Sequence, residues 1–314
     1  KYYRPISLLN NDYKILSKVL CLRLAPNIHH VLDGTQTGVP GQTISDPIHT
    51  TQSIIYDANK YKKELAIVFL DFAKAFDSVD HEFTFMIMEK MNIHPDYIKW
   101  AKLGFTQTYA QCIVNGKLTK AFHLPGGGRQ GDCLYPLLFA LVMHALKLSV
   151  DNPTDDGSKI KGYKLPHTTE HVRIKQYVDD SSIYITSNDP KEDLHLAYTA
   201  VNNFCDASGM EVNWDKTDGI WLGNWACNPP FQTFLPSEAT IPIKFTEIVD
   251  NVEVYIQKLK YLGIHAGFVP ADYDWNRIKD KLDKKLTQRK SPNITDTGAI
   301  LMANTCLLGA FNYT

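Results

Sequence analysis

Tyr177-Val178-Asp179-Asp180 lies between two short runs of strand-forming residues. Apolar and polar residues alternate over residues 174–178 and again over 182–186, which predicts a β-hairpin. The two aspartates are expected to form the connection, because Asp tolerates the positive φ that tight hairpin turns require. Adjacent carboxylates repel each other, and a bound cation would offset that repulsion. The alternative is an ordinary solvated turn.

A third carboxylate stands at the end of a different strand. Residues 66–70 form a continuous apolar run with β-branched members, the pattern of a strand buried on both faces, and Asp71 follows at once. If the hairpin packs beside this strand, Asp71 and Asp179 can hold two metal ions for in-line displacement at phosphorus. Mg²⁺ suits such a site because it takes oxygen ligands and keeps positions free for water and phosphate.

Seven segments, spread over nearly the whole chain, carry recognisable motifs. In chain order they are Tyr3-Arg4-Pro5-Ile6-Ser7-Leu8-Leu9, Gln36-Thr37-Gly38-Val39-Pro40-Gly41, the run from Asp71 to Asp77, Gly128-Arg129-Gln130-Gly131-Asp132 with Pro136 to Phe139, Tyr177 to Asp180, the run from Gly209 to Thr217, and Tyr261-Leu262-Gly263. Their order resembles that of the reverse transcriptases, most closely those of non-LTR (LINE-type) retrotransposons. Group II intron enzymes are more distant relatives.

This resemblance implies an α+β fold of the right-hand polymerase type, with fingers, a palm whose antiparallel sheet carries the catalytic carboxylates, and a helical thumb. It assigns residues 1–62 to the first part of the fingers, 63–80 to the palm strand and first catalytic motif, 81–110 to a helical second part of the fingers, 111–267 to the palm and 268–314 to a partial thumb. The chain begins inside the first motif and ends inside the thumb pattern. We therefore expect a portion of a longer protein, and an endonuclease module is expected in the full-length protein but is absent from this sequence.

The activity implied by the resemblance is RNA-directed DNA polymerisation, a nucleotidyl transfer that adds dNTPs to a primer 3′-hydroxyl. Asp71, Asp179 and Asp180 are then the catalytic residues and hold two Mg²⁺ ions, for which Mn²⁺ can substitute, while Phe72 offers its backbone carbonyl to a metal ion. The implied partners are an RNA template, a DNA primer and dNTPs. Two alternatives stay open: an inert, RNA-binding relative from a degenerate element copy, and an RNA-dependent RNA polymerase, which shares the palm carboxylates.

Three cations are implied to act on the nucleotide. Arg4 and Lys14 would face the triphosphate, where fixed positive charge stabilises the developing charge. Lys216 would protonate the pyrophosphate leaving group. The plain alternative for both lysines is a solvated surface position. Lys14 begins a predicted amphipathic helix whose apolar stripe consists of Ile15, Leu16, Val19, Leu20, Leu22 and Leu24.

Other implied contacts involve the sugar, the base pair and the primer–template. Phe76 would lie beneath the incoming sugar and exclude a 2′-hydroxyl, the group that separates ribo- from deoxyribonucleotides; the alternative is a core Phe. Gln130 and Gly131 would pack on the nascent pair and the nucleotide, after a flexible glycine run at residues 126–128 that could equally be a plain loop. The primer–template contacts would come from Tyr261, Leu262 and Gly263.

Two segments depart from the family pattern. Val39 stands where a Phe is usual and Gln42 where an Arg is usual, which changes the expected fingers contacts with template. Cys133 and Tyr135 replace the usual Pro and Ser, and Tyr135 would be bulky near the nucleotide site. Such departures are what the degenerate-copy alternative predicts.

Composition is that of an ordinary globular protein, with 44% apolar and 21% charged residues. The net charge of −1 is unusual for a nucleic-acid binder, yet residues 258–290 hold nine Lys or Arg against four Asp. A basic helix there would grip a nucleic-acid backbone, or it could be a solubilising face. No apolar stretch has the length of a membrane span, and the six scattered cysteines indicate reduced thiols. The family implies an intracellular location, in nucleus and cytoplasm.

Overall fold

The computed structural model describes residues 7–152, 157–231, 233–234, 243–249, 252–262 and 264–267, together with six single positions between 274 and 284. Arg4, Gly263 and most of the predicted thumb therefore lie outside the described residues. In the continuous described ranges the helices are α1 (Asn11–Leu24), α2 (Ser45–Tyr61), α3 (Ala75–Ser78), α4 (His81–Lys90), α5 (Pro95–Leu103), α6 (Tyr135–Asp151) and α7 (Pro190–Ser208), with 3₁₀ turns at Ala25–His30 and Trp214–Lys216.

Three of the strands in the described ranges have six or seven residues, and the others have two or four. They are β1 (Glu64–Leu70), β2 (Phe72–Ala73), β3 (Tyr109–Ala110), β4 (Ile113–Val114), β5 (Lys117–Leu118), β6 (Phe122–His123), β7 (Tyr163–Lys164), β8 (His171–Val172), β9 (Ile174–Tyr177), β10 (Asp180–Ile185), β11 (Glu211–Val212), β12 (Asp218–Gly223), β13 (Thr233–Phe234), β14 (Ile243–Lys244), β15 (Thr246–Val249), β16 (Val252–Tyr255), β17 (Lys258–Tyr261) and β18 (Ile264–Gly267).

Six of the described strands form one central sheet in the order β13-β14-β12-β1-β10-β9. β1 lies in its middle and pairs antiparallel with β10 on one side and β12 on the other. The predicted α+β class is confirmed, and the sheet is antiparallel as predicted except where β12 pairs parallel with β14. Because β1 has a strand on each side, both of its edges are hydrogen-bonded and its end is held rigidly.

The two faces of the sheet are covered by different helices. Ala66, Val68 and Leu70 belong to a large apolar cluster with residues of α1 and α4–α7, whereas Leu65 and Ile67 face α2 and Tyr261. These assignments follow the two-residue period of a strand, whose alternate side chains point to opposite faces. The predicted burial of this strand on both faces is confirmed. Each such apolar side chain contributes about 1.5–3 kcal/mol on full burial.

Helix α1 buries a narrower face than its sequence predicts. In the predicted six-residue apolar stripe, Leu16, Leu20 and Leu24 do pack against the core. The prediction is wrong for Ile15, Val19 and Leu22, which are 66%, 44% and 59% exposed. The buried positions are Ser17, Leu20 and Leu24, which recur at helical spacing. Ser17 lies on this face because its hydroxyl donates to the buried carboxylate of Asp132.

The helical segment after the first catalytic motif is two helices rather than one. α4 begins at the N-cap Asp80, whose carboxylate accepts from the Phe83 N–H at 2.9 Å. α5 begins with Pro95, after the N-cap His94. A small exposed hairpin, β4–β5, turns at Asn115 and Gly116, both with positive φ. Among the described helices, none combines the length and the apolar character needed to cross a membrane.

Candidate active site

The hairpin that carries the paired aspartates is tighter than the sequence suggests. Tyr177 ends β9 and pairs with Asp180, which begins β10, so only Val178 and Asp179 form the connection. The prediction that both aspartates occupy the turn is therefore wrong. The positive φ, 58°, falls on Val178, a β-branched residue for which that conformation is strained. β10 is buried on both faces after Asp180, instead of alternating as predicted.

Asp71 lies one residue beyond the end of β1 and is level with Asp180, since Leu70 pairs with Ser181 in the antiparallel register. Its backbone is fixed by the segment that follows α7. The Asp71 N–H donates to Thr217 Oγ1 at 3.2 Å, and the Asn213 N–H donates to the Asp71 carbonyl at 2.7 Å. The central strand and its neighbour thus bring together carboxylates that are far apart in the sequence.

The carboxylates of Asp71, Asp179 and Asp180 form a cluster in which like charges lie close together. The pKa of Asp180 is raised to about 6, first because the surrounding protein removes its carboxyl from water, and then because Asp179 and Asp71 add negative charge nearby. Asp180 is nevertheless an exposed residue, so one side of the cluster is open to solvent. A cation can approach from that side and relieve the repulsion.

Lys216 brings a positive charge to the same place. It ends the 3₁₀ turn Trp214–Lys216, and its Nζ lies 3.7 Å from Asp71 Oδ2. Both side chains are substantially exposed, at 70% and 44%. An exposed ion pair of this kind contributes little to stability.

The donor atoms suit a hard divalent cation, although they do not form a closed cage. In the part of the chain that the structure describes, no group of three or more His, Cys, Asp or Glu side chains is arranged to hold a metal ion by itself. Mg²⁺ typically uses one or two carboxylates and completes its shell with water and substrate phosphates. The open cluster of Asp71, Asp179 and Asp180 fits that mode of binding.

Aromatic residues pack beside the start of α3. Phe76 stacks on Phe139 with ring centroids 4.3 Å apart and an interplanar angle of 17°, and the Tyr135 ring lies 5.8 Å away. Tyr135 is only 3% exposed, and burial is the largest cause of its raised pKa. The bulk of Tyr135 is therefore packed in the core beside Phe76, and its expected nearness to the nucleotide site stays a prediction.

The glycine run is packed tightly, contrary to the expected flexible backbone. The Gly127 N–H donates to the Val79 carbonyl at 2.7 Å, and the Gly128 N–H donates to the Phe76 carbonyl at 2.8 Å. A Cβ at Gly128 would overlap the Tyr135 ring. These glycines allow the chain to pass close to the first catalytic motif.

The reverse transcriptase (RNA-dependent DNA polymerase) family matches residues 1–266. The chain belongs to this family. It is 28% identical over 270 residues to the uncharacterized 149 kDa protein of transposon TX1 from Xenopus laevis, covering 85% of this chain and 19% of that protein. It is 24% identical over 282 residues to the retrovirus-related Pol polyprotein of the type-1 retrotransposable element R2 from Popillia japonica, covering 88% of this chain and 37% of the relative. The reverse transcriptase chain thus spans about a fifth to somewhat over a third of these curated relatives.

A further curated relative is consistent with the same family, and a solved structure shows a similar fold. A probable RNA-directed DNA polymerase from transposon BS of Drosophila melanogaster is 24% identical over 275 residues, covering 83% of this chain and 27% of that protein. The structure of telomerase from Candida tropicalis in complex with a fragment of telomeric RNA superposes with a TM-score of 0.50 at 13% identity, covering 86% of this chain and 41% of that one. The predicted right-hand polymerase fold is confirmed.

The other residues singled out in this reverse transcriptase occupy varied environments. Lys14 is exposed on α1, Gly131 is exposed with φ 103°, and Gln130 is half-buried, with its carbonyl accepting from the Ser7 N–H at 3.3 Å. Phe72 is buried in the core, so only its backbone could reach a ligand. The roles given to these residues stay predictions.

Tyr261 was expected to contact primer and template, but its side chain is buried. It is 4% exposed, and its ring centroid lies 4.9 Å from that of Phe69 on the central strand. The adjoining turn residue Leu262 has φ 47°. Any contact with nucleic acid from this motif would have to come from the turn rather than from the Tyr261 ring.

Sequence reasoning missed Asp132, which joins α1 to the start of α6. Its buried carboxylate accepts from the Tyr13 hydroxyl, from the Ser17 hydroxyl and, at 2.9 Å, from the Leu134 N–H. An acidic residue just before a strongly apolar helix was an available signal for this role. Its partners on α1 were not predictable, because they are remote in sequence.

Proposed function

We propose that this chain is the polymerase core of a non-LTR retrotransposon-like element, an RNA-directed DNA polymerase that adds dNTPs to a primer 3′-hydroxyl. The observation that supports it best is the convergence of Asp71, Asp179 and Asp180 at one open end of the central sheet, with Lys216 beside them. The proposed partners are an RNA template, a DNA primer and dNTPs. In the full-length protein an endonuclease module would accompany this core, and its place of action would be the nucleus and cytoplasm.

The proposed metal ligands are the carboxylates of Asp71, Asp179 and Asp180 and the backbone carbonyl of Phe72. Two Mg²⁺ ions, or Mn²⁺ in their place, would when bound lower the pKa of the attacking hydroxyl and neutralise charge on the leaving pyrophosphate. The protein's task is positioning and charge placement, with little covalent work. With a pKa of about 6, Asp180 is mostly ionised at neutral pH and can serve as a ligand.

The remaining proposed roles belong to side chains around the cluster. Lys216 would donate a proton to the departing pyrophosphate, since its amine lies 3.7 Å from Asp71. Phe76, whose ring stacks on that of Phe139, would limit the space beneath the sugar. Lys14 and Arg4 would face the triphosphate, and Gln130 with Gly131 the nascent base pair. The backbone of Tyr261, and the two residues that follow it in the sequence, Leu262 and Gly263, would contact the primer and template.

The domain division follows from the same proposal. Residues 63–80 and 111–267 would form the palm, because their strands make up the central sheet. Residues 1–62 and 81–110, which are largely helical in the described part, would form the fingers. Residues 268–314 would begin the thumb.

The deciding experiment is primer extension by the isolated chain on an RNA template with a DNA primer, dNTPs and Mg²⁺ or Mn²⁺. We expect extension by the wild type, and none by Asp179→Asn, whose fold and gel-shift affinity for primer–template should be unchanged. Asp206→Asn, on the exposed end of α7, is the matched control and should extend normally. Binding without extension by the wild type would instead favour the inert, RNA-binding alternative, and full activity of Asp179→Asn would disprove the assignment.

A further inference from the structure

Gln36 contacts the catalytic hairpin from a segment far away in the sequence. Its side chain is completely buried, and its carboxamide brackets Val178. The Val178 N–H donates to Gln36 Oε1 at 2.8 Å, and Gln36 Nε2 donates to the Val178 carbonyl at 2.9 Å. Gln36 Oε1 also accepts from the Gly38 N–H at 2.9 Å. One side chain therefore satisfies both backbone groups of the turn residue and ties them to its own segment.

The residue so held is the strained one. Val178 has φ 58°, a conformation that β-branched residues adopt only where the surroundings enforce it. Asp179 is the next residue in the sequence, and Asp180 after it is the first residue of β10. A change in the Val178 backbone would therefore redirect both carboxylates relative to Asp71.

The segment around Gln36 is itself fixed against the hairpin. The Thr37 N–H donates to the Gln176 carbonyl at 3.0 Å, and the Gln176 N–H donates to the Thr35 carbonyl at 3.2 Å. Gly38 approaches so closely that a Cβ there would lie 2.5 Å from Val178 Cγ2. The second motif, Gln36 to Gly41, was expected to contact template from the fingers, but the fully buried side chain of Gln36 cannot reach a nucleic acid.

We propose that Gln36 is a positioning residue, whose carboxamide holds Val178 in its left-handed conformation and so fixes Asp179 and Asp180 beside Asp71. The effect on catalysis rests on the proposed polymerase function, whereas the effect on the turn does not.

The chemistry requires a glutamine at this position. Val178 presents one N–H donor and one C=O acceptor. A neutral carboxamide offers the matching acceptor and donor on one planar group. Asparagine is one methylene shorter, and a methionine of similar size leaves the buried N–H and C=O of Val178 without partners. Glutamate keeps the acceptor for Val178 and Gly38 but lacks the donor unless it is protonated.

The primary test compares Gln36→Met with Gln52→Met, the same substitution at an exposed position of α2. We expect faster hydrogen exchange of the amides of residues 177–181 in Gln36→Met, measured without nucleic acid or metal. In single-nucleotide incorporation we expect kcat to fall about 10²-fold, with little change in primer–template affinity, because misplacement by about 1 Å costs that much. Gln52→Met should match the wild type in both measurements. Gln36→Glu, which preserves two of the three contacts, keeps the test usable if Gln36→Met does not fold, and should show a smaller increase in exchange.

A rescue experiment separates turn holding from a general structural role. Val178→Gly removes the Cβ that makes positive φ costly. Introduced into Gln36→Met, it should recover at least about tenfold of the lost kcat, since the turn then needs less support. Because the Val178 side chain also lies against Gly38, Val178→Gly is measured alone as well, and only a double variant that returns toward the rate of Val178→Gly counts as rescued.

The outcomes distinguish the two proposals. If the wild type does not extend a primer, the polymerase function fails, and the hydrogen-exchange comparison still judges the role of Gln36. A folded Gln36→Met chain with wild-type exchange at residues 177–181 would overturn the inference. So would the absence of any rescue by Val178→Gly in an active wild-type background.

Discussion

Lys216 Nζ lies 3.7 Å from Asp71 Oδ2 at the open end of the central sheet, with both side chains exposed to solvent. The register of β1 and β12, in which Phe69 opposes Asp218, brings the 3₁₀ turn before β12 level with Asp71. The same pair distance, 3.7 Å, occurs between Lys99 and Asp96 on the surface of α5. Since neither exposed pair stabilises the fold appreciably, a functional difference between them tests the chemistry directly.

We expect Lys216→Met to slow single-nucleotide incorporation at least about 10²-fold, because it removes a proton donor at the leaving group. Lys216→Arg should be nearly as slow, since a guanidinium is a much weaker acid than an ammonium group and gives up its proton less readily. Lys99→Met is the matched control and should leave the rate unchanged. Rapid-quench kinetics would measure all three. A wild-type rate for Lys216→Arg would show that fixed charge, and not proton transfer, is what Lys216 supplies.

Asp180 predicts a specific dependence of stability on pH. Its pKa in the folded chain is about 6, against about 4 for an unfolded aspartate, so the folded state binds more protons between these values. Stability contributed by this group is therefore present below about pH 4, falls as the pH rises to about 6, and is level above that. Asp180→Asn should remove this fall and melt above the wild type at pH 7.5 without metal.

The measurement is thermal or urea unfolding at pH 4.5 and pH 7.5 in the presence of a chelator, with Asp206→Asn as the control. Addition of Mg²⁺ at pH 7.5 should raise the melting temperature of the wild type more than that of Asp180→Asn, because ligand binding to the folded state stabilises it. A wild-type chain that gains stability relative to Asp180→Asn between pH 4.5 and 7.5 would contradict the raised pKa.

Phe76 predicts the choice of sugar. Phe76→Ala should raise the ratio of ribonucleotide to deoxyribonucleotide incorporation, in kcat/KM, by about tenfold or more, because the space beneath the sugar opens. It also removes the stacking partner of Phe139, so Phe139→Leu is the control that loosens the same pair without enlarging the sugar site. An equal change of the ratio in both variants would assign Phe76 to packing alone. An unchanged ratio in Phe76→Ala would mean that Phe76 does not exclude the 2′-hydroxyl. The RNA-dependent RNA polymerase alternative would then stay open.

Much of the fold follows from local pattern. The apolar run of β1 predicts its burial on both faces, and an acid directly after a buried strand places Asp71 at the end of the sheet. The ends of α7 can likewise be predicted from local sequence, since Asp189 caps its first turn and Gly209, with φ 74°, ends it. These features depend on neighbours within a few residues, where propensity and periodicity are informative.

What could not be predicted depends on contacts between remote segments. A β-branched Val178 at positive φ contradicts local preference, and it is held there by Gln36. Tyr135 is buried because Gly128 leaves room for its ring. The exposed apolar residues of α1 have the spacing of a buried face, and only the tertiary position of Ser17 shows which side faces inward.

The contact between Gly128 and Tyr135 can be tested by stability. Gly128→Ala should lower the free energy of unfolding by about 1–3 kcal/mol, because the added methyl overlaps the ring. Gly126→Ala meets only the Val79 carbonyl, 3.0 Å away, and should cost less. In Gly128→Ala/Tyr135→Leu the two costs should be less than additive, since the smaller side chain gives the methyl room. Additive costs in urea unfolding would show that the two residues do not share this space.

Tyr13 and Tyr97 provide a paired test of the link between α1 and the rest of the molecule. The Tyr13 hydroxyl donates to the buried carboxylate of Asp132, whereas the Tyr97 hydroxyl donates to the neutral carbonyl of Leu20 at 2.8 Å. Hydrogen bonds to charged groups contribute about 1.5–3 kcal/mol and neutral ones about 0.5–1.5 kcal/mol. Tyr13→Phe should therefore destabilise more than Tyr97→Phe, as measured by urea unfolding at pH 7. Equal losses would mean that Ser17, the Leu134 N–H and the Arg129 guanidinium satisfy Asp132 without Tyr13, and that the Tyr13 hydroxyl adds little to the contact between α1 and the start of α6.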